Sequence, residues 1–167
     1  MRFLDKLSGT KRPGSNVTPQ PTEDLKAMLL SLNGPDVPYV VRYGAQEGAH
    51  LVAEWRLMES AWQTYFARSQ LSRRIRIRMR FVPGKREVRA LDEQWKIKWV
   101  GGVPVSYEYG RGPVNQKSYR WTIGRGKEGG LEVTETFRFD SSELKDPLRD
   151  TVIKAGWTWR GVTLGKL

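Results

Sequence analysis

Arginine occupies every second position from 74 to 80, and Arg89 follows beyond a turn signal. Ile75, Ile77, Met79 and Phe81 alternate with Arg74, Arg76, Arg78 and Arg80. Successive side chains of a strand point to opposite faces, so a strand sorts these residues into an apolar face and a face of guanidinium groups. A helix would scatter both sets around its circumference. The chemistry such a face can do is capture of anions, by long-range field and by release of counterions from a polyanion.

The arginine run belongs to residues 72–99, which predict a long two-stranded hairpin. Val82-Pro83-Gly84-Lys85 supplies the turn, with proline fixing φ and glycine tolerating a positive φ, as a type II turn requires. With Phe81 opposite Arg86, Met79 meets Val88, Ile77 meets Ala90, Arg80 meets Glu87 and Arg78 meets Arg89. Two arginines face to face repel each other unless an anion or carboxylate lies between them. Val88 and Ala90 share one phase of the return strand, whereas Leu91, Trp95, Ile97 and Trp99 share the other. A β-bulge between Ala90 and Leu91 would produce that slip. On this reading Phe81, Trp95 and Trp99 lie on the apolar side, away from the arginines. Proteins that bind single-stranded nucleic acid stack bases on aromatic rings within a positive groove, so this placement argues against that class.

Other candidate chemistry is sparse. The chain has no cysteine, which removes thiolate metal sites and disulfides, and His50 is its single histidine. His50 has no nucleophile motif or second base near it in sequence. Asp92-Glu93 and Glu23-Asp24 are sequence neighbours, a spacing that points such pairs apart. Glu135 falls on the apolar phase of a strand and is expected at an open sheet edge or beside an arginine. Residues 124–129, GRGKEG, match the glycine spacing of dinucleotide binders, but a strand follows them where that motif needs a helix, so a hairpin loop is expected. Neither a catalytic residue nor a cofactor nor a metal site is expected.

The 167 residues carry 29 Lys and Arg against 18 Asp and Glu, a net charge of +11. Residues 72–99 hold ten basic and three acidic side chains, so most of the excess lies on the hairpin. No apolar run is long enough to span a bilayer and no signal-peptide pattern is visible, so a cytoplasmic location is expected.

The elements around the hairpin follow from periodicity. Residues 1–22 predict a short amphipathic tip and a flexible Pro- and Gly-containing linker, and residues 23–167 a single domain. Leu25, Met28, Leu29 and Leu32 form a helical stripe ended by Asn33-Gly34-Pro35. Strands are expected over 39–43 and 49–57, then a helix over 58–70 carrying Trp62 and Phe66. Further strands are expected near 103–109, 119–123 and 131–139. A last helix should start at Asp146-Pro147, with an earlier turn from Asp140 as the alternative, and a terminal strand should follow Gly156.

The fold class is therefore α+β. A twisted, mainly antiparallel sheet of about six to eight strands is packed by two or three helices, with curling toward a partial barrel as a variant. The expected function is a non-enzymatic binding domain whose basic hairpin face, carrying Arg74, Arg76, Arg78, Arg80 and Arg89, contacts an acidic protein surface or a polyanion such as nucleic acid. The alternative is a small-ligand or enzymatic pocket lined by Tyr, Trp and Glu135 in the concave face of the sheet. A third is an interaction module that docks through its N-terminal tip.

Overall fold

The computed structural model describes residues 8–112, 119–125, 131–163 and 167, with backbone alone for 119–125 and 131–138. The expected tip, most of the glycine loop and the Glu135 side chain lie outside the described residues.

Three helices and a six-stranded sheet form the described domain, which is α+β. Strands β1 (Tyr39–Tyr43), β2 (Leu51–Trp55), β3 (Arg73–Val82) and β4 (Glu87–Val100) run as an antiparallel meander. Strand β4 is long enough to pair with two partners on its other edge. Its later half pairs antiparallel with β5 (Val103–Arg111), and residues 87–91 pair parallel with β8 (Thr158–Val162). Strands β6 (Tyr119–Arg125) and β7 (Leu131–Arg138) pair with each other. The sheet does not close into a barrel.

Helix α1 (Thr22–Leu30) buries Leu25 and Leu29, as its stripe predicts. Helix α2 (Ser60–Arg68) buries Phe66, which meets Phe139 at 4.5 Å and Trp55 at 5.9 Å between ring centroids. Helix α3 (Ser141–Lys154) buries Leu144, Leu148 and Val152. The helix begins at Ser141, with Asp140 as its N-cap residue, and Pro147 lies inside it. Asp146-Pro147 is a strong start signal, but the Leu144 side chain, fully buried in the core, draws the preceding turn into the helix. These helices cover the face of the sheet formed by Ile75, Ile77 and Met79, each at most 1% exposed. Burial of this size, at roughly 25 cal/mol per Å² of apolar surface, dominates the folding free energy.

The hairpin differs from its expected register. Phe81 pairs with Val88, Met79 with Ala90, Ile77 with Asp92 and Arg80 with Arg89. The cause is the turn: Pro83–Lys85 forms a short 3-10 turn, and the positive φ falls on Arg86, at 49°, instead of Gly84. A four-residue loop moves the pairing by two positions, which changes partners but preserves faces. The β3–β4 ladder is continuous from Arg73 to Val82, so the bulge expected after Ala90 is absent. The irregularity lies between β4 and β5, at Trp95/Lys96, where Glu108 takes a φ of 51°. Leu91 and Trp95 consequently belong to the arginine face. Leu91 is buried there against Val52, Ala49 and Leu167 in a second, smaller apolar cluster.

Residues within the stretch expected as a linker are tied to the last strand. Lys11 and Trp159 exchange two backbone hydrogen bonds of 2.8 Å. The Gly161 amide donates to Thr10 Oγ1, and the Trp157 indole donates to the Gln20 carbonyl. This strap covers the outer edge of β8, which would otherwise present unpaired backbone groups. A Cβ at Gly161 would stand 1.6 Å from the Ser8 carbonyl oxygen. Gly161→Ala is therefore expected to cost about 1–3 kcal/mol and to loosen the strap. Tryptic cleavage after Lys11 should accelerate; unchanged cleavage would show that the strap tolerates the side chain.

Candidate functional site

Register places all five predicted arginines on one face of the sheet. Each position has a cross-strand neighbour there: Arg74 with Trp95, Arg76 with Glu93 and Glu54, Arg78 with Leu91 and Val52, and Arg80 with Arg89. Arg42 joins through β1, Arg111 through β5 and Arg160 through β8, where it stands opposite Arg89. The face thus carries eight arginines in register.

Four glutamates are interleaved with them. Glu54 accepts from Arg42 at 3.0 Å and from Arg74 at 3.2 Å, and Glu47 takes Arg42 at 2.7 Å. Glu93 is buried, 3% exposed, as is Glu87 on the same face. Its oxygens accept from Arg76 at 2.9 Å and the Tyr109 hydroxyl at 2.5 Å, with Arg78 at 3.7 Å. Burial, then the bond to Glu93, holds the Tyr109 hydroxyl above its ordinary pKa and keeps it a donor. Glu87 splits its two oxygens between Arg89 at 3.0 Å and Arg160 at 2.8 Å. Burial pushes Glu87 upward, but hydrogen bonds and charge from Arg160 and Arg89 outweigh it, so the carboxyl is held below its ordinary range.

Compensation is uneven along the face. The row Arg80, Arg89 and Arg160 spans three adjacent strands, and Glu87 pairs with Arg89 and Arg160 in it. Arg80 is exposed and donates to the Leu167 main-chain oxygen at 3.4 Å; among the described residues no Asp or Glu side chain lies within ion-pair distance of it. Of the five predicted residues, Arg74, Arg76, Arg78 and Arg89 are therefore paired with glutamates and Arg80 is not. The repulsive pair is Arg80–Arg89, displaced from Arg78–Arg89 by the two-residue change in register.

The opposite end of the face is aromatic. Arg74 and Arg76 each lie 4.9 Å from the Trp95 ring centroid, and Tyr109 meets Trp95 at 5.2 Å. Such cation–π contacts are worth about 0.5–2 kcal/mol each. Tyr109 is 49% exposed. The alternating phase of the return strand had placed Trp95 on the apolar side; the unbroken β3–β4 ladder puts it with the arginines.

His50 sits near Arg80 at the turn end. Its Nδ1 accepts the Phe81 amide at 2.9 Å, and its ring stacks on Phe81 at 5.6 Å. Burial, then the charges of Lys26 and Arg80, lower its pKa from the ordinary 6.5. The unfolded chain therefore binds a proton first as pH falls, and this contribution to stability, full above pH 6.5, declines through the interval below it. Urea midpoints should drop more for the wild type than for His50→Gln from about pH 7 to about pH 5. Equal drops would mean that His50 titrates as it does when unfolded.

Among the described residues, one surface cleft adjoins the ladder at Glu54 and Arg74 and a second lies away from it. One, of about 160 Å³, is lined by Glu54, Arg56, Glu59 and Arg74 with Pro104 and Ser106. The other, of about 270 Å³, is lined by Asn33, Tyr39 and Arg56 among others. Behind the sheet, where a ligand pocket was the alternative expectation, the described residues form a packed apolar core.

Glu47, Glu54, Glu87, Glu93, Arg42, Arg111 and Arg160 complete the face; none was a site residue from sequence, where Glu87 entered only as the residue facing Arg80. Arg42 and Glu54 carried a usable signal, since each occupies the phase opposite the buried residues of its own strand. Arg160 carried none, because its place depends on a parallel crossover. An α+β sheet with an arginine–glutamate ladder on the face opposite its helices is the class that fold and site define. Comparison with protein-family models, with curated proteins and with solved structures gives no match. Among the described residues, no helix is long and apolar enough to cross a membrane.

Proposed function

We propose that this is a non-enzymatic binding domain whose ladder face receives an anionic partner, an acidic protein surface or a polyanion. The observation that carries the reading is the Arg80–Arg89–Arg160 row, three guanidinium groups abreast with the Glu87 carboxylate among them. The glutamates elsewhere hold the arginines in fixed positions, which lowers the entropy lost when they meet a partner. The turn beyond the row adds Lys85 and Arg86, both exposed, extending the positive field.

Binding of a defined heparin fragment at low salt tests this reading. Arg80→Gln should weaken it about fivefold, because one uncompensated contact is lost. Arg89→Gln with Arg160→Gln would strand the buried Glu87, so these changes are made together with Glu87→Gln. That triple variant loses more positive charge than negative and should also bind more weakly. Undiminished binding by both folded variants would dismiss the row as the contact surface.

A further inference from the structure

Resting on that reading of the arginine face, we infer that its partner is single-stranded nucleic acid. The face supplies two kinds of contact in separate rows. At one end, Arg80, Arg89 and Arg160 stand abreast on β3, β4 and β8. At the other, Arg74, Trp95 and Tyr109 stand abreast on β3, β4 and β5. Six steps along β4, from Arg89 to Trp95, separate the rows, roughly 20 Å at 3.3–3.4 Å per residue. A flexible phosphate backbone can follow the cationic row while a base reaches the aromatic one.

An acidic protein surface would use the first row and gain little from the second. Carboxylates are held by guanidinium groups, whereas an exposed phenol ring beside an indole offers a π face. Every nucleobase has such a face, and it is accessible when the bases are unpaired and buried by stacking in a duplex. The rings are also braced for contact. Trp95 is held by two arginines, and the Tyr109 hydroxyl is tied to Glu93. The half-exposed Tyr109 ring is the available surface, and Trp95 supports it from beside.

The test is fluorescence anisotropy with four probes: a labelled oligothymidine of about 12 nucleotides, its duplex with oligoadenine, a heparin fragment and polyglutamate. The single strand should bind tightest. Tyr109→Leu should weaken it by roughly 5- to 100-fold, the range that loss of one stacked base gives, while heparin affinity stays within about twofold. Tyr109→Phe, which keeps the ring and drops the bond to Glu93, should retain single-strand affinity. Should Tyr109→Leu fail to fold, ultraviolet cross-linking of the wild type to a bromouracil oligonucleotide gives a second readout. Cross-links are expected on the peptides carrying Trp95 or Tyr109, and cross-links confined to other peptides would overturn the inference. Equal binding of heparin and oligonucleotide, with no effect of Tyr109→Leu, would reduce the face to a general polyanion surface. Tightest binding to polyglutamate would point to an acidic protein instead. Failure of all four probes would remove the underlying reading itself.

Discussion

Glu93→Leu is expected to destabilise the domain by about 3–5 kcal/mol, because it removes the acceptor of Arg76 and the counter-charge of Arg76 and Arg78 on a largely desolvated surface. Glu93 is 3% exposed, and the side chains of Arg76 and Arg78 are 18% and 21% exposed. Their positions between β2 and β4 leave few other acceptors, and Arg78 Nε is already buried without a hydrogen-bond partner. Tyr109 would lose its acceptor in the same substitution. Glu54→Leu makes the comparison. Its carboxylate is 16% exposed, and Arg42 retains Glu47, so the cost should be smaller, about 1–2 kcal/mol. Urea denaturation of the two variants measures the difference. A loss below about 1 kcal/mol for Glu93→Leu would mean that the ladder is a loosely solvated surface, and that the arginines are not fixed by it.

The second large effect lies on the other side of the sheet. Asp92 falls on the apolar face opposite Ile77 and is 5% exposed. Lys145 of α3 reaches it at 2.8 Å, a bond from helix to sheet. Lys145→Met should cost about 3–5 kcal/mol, since it leaves a buried carboxylate without its counter-charge. Adding Asp92→Leu should recover most of that loss, because replacing a buried ion pair by apolar side chains is often neutral or better. A double-mutant cycle by chemical denaturation checks both statements. Additive losses would show that the two side chains do not depend on each other.

These two carboxylates also explain how far the sequence could be read. Strand β3 was legible because its alternation is strict: four arginines and four apolar residues admit one sorting. Strand β4 was not, since Asp92 interrupts the apolar phase and Leu91 interrupts the polar one. A bulge was the economical local explanation. The actual cause is non-local, a lysine 53 positions later and a small apolar cluster against Val52. The same limit hid the parallel pairing of β8, because a local pattern marks a strand but not the edge it joins. Helix α1 and the arginine face were legible from periodicity alone. Glu54 was visible on the phase of β2 opposite its buried residues, but the partners of the glutamates required the register. Register in turn depended on a positive φ carried by Arg86, a residue type that gives no turn signal.

Neutralisation and binding pull against each other on this face. Each glutamate that fixes an arginine also reduces the field that a polyanion feels. The four carboxylates therefore set which arginines serve structure and which remain for a partner. Arg76 and Arg78 fall on the structural side, converging on buried Glu93, and Arg80 on the other.

The most direct measurement of the central claim is the salt dependence of heparin affinity, taken between about 50 and 200 mM sodium chloride. The account predicts a linear fall of log affinity with log salt, with a slope shallower by close to one unit in Arg80→Gln than in the wild type. An affinity that does not change with salt, or a slope that Arg80→Gln leaves untouched, would contradict it.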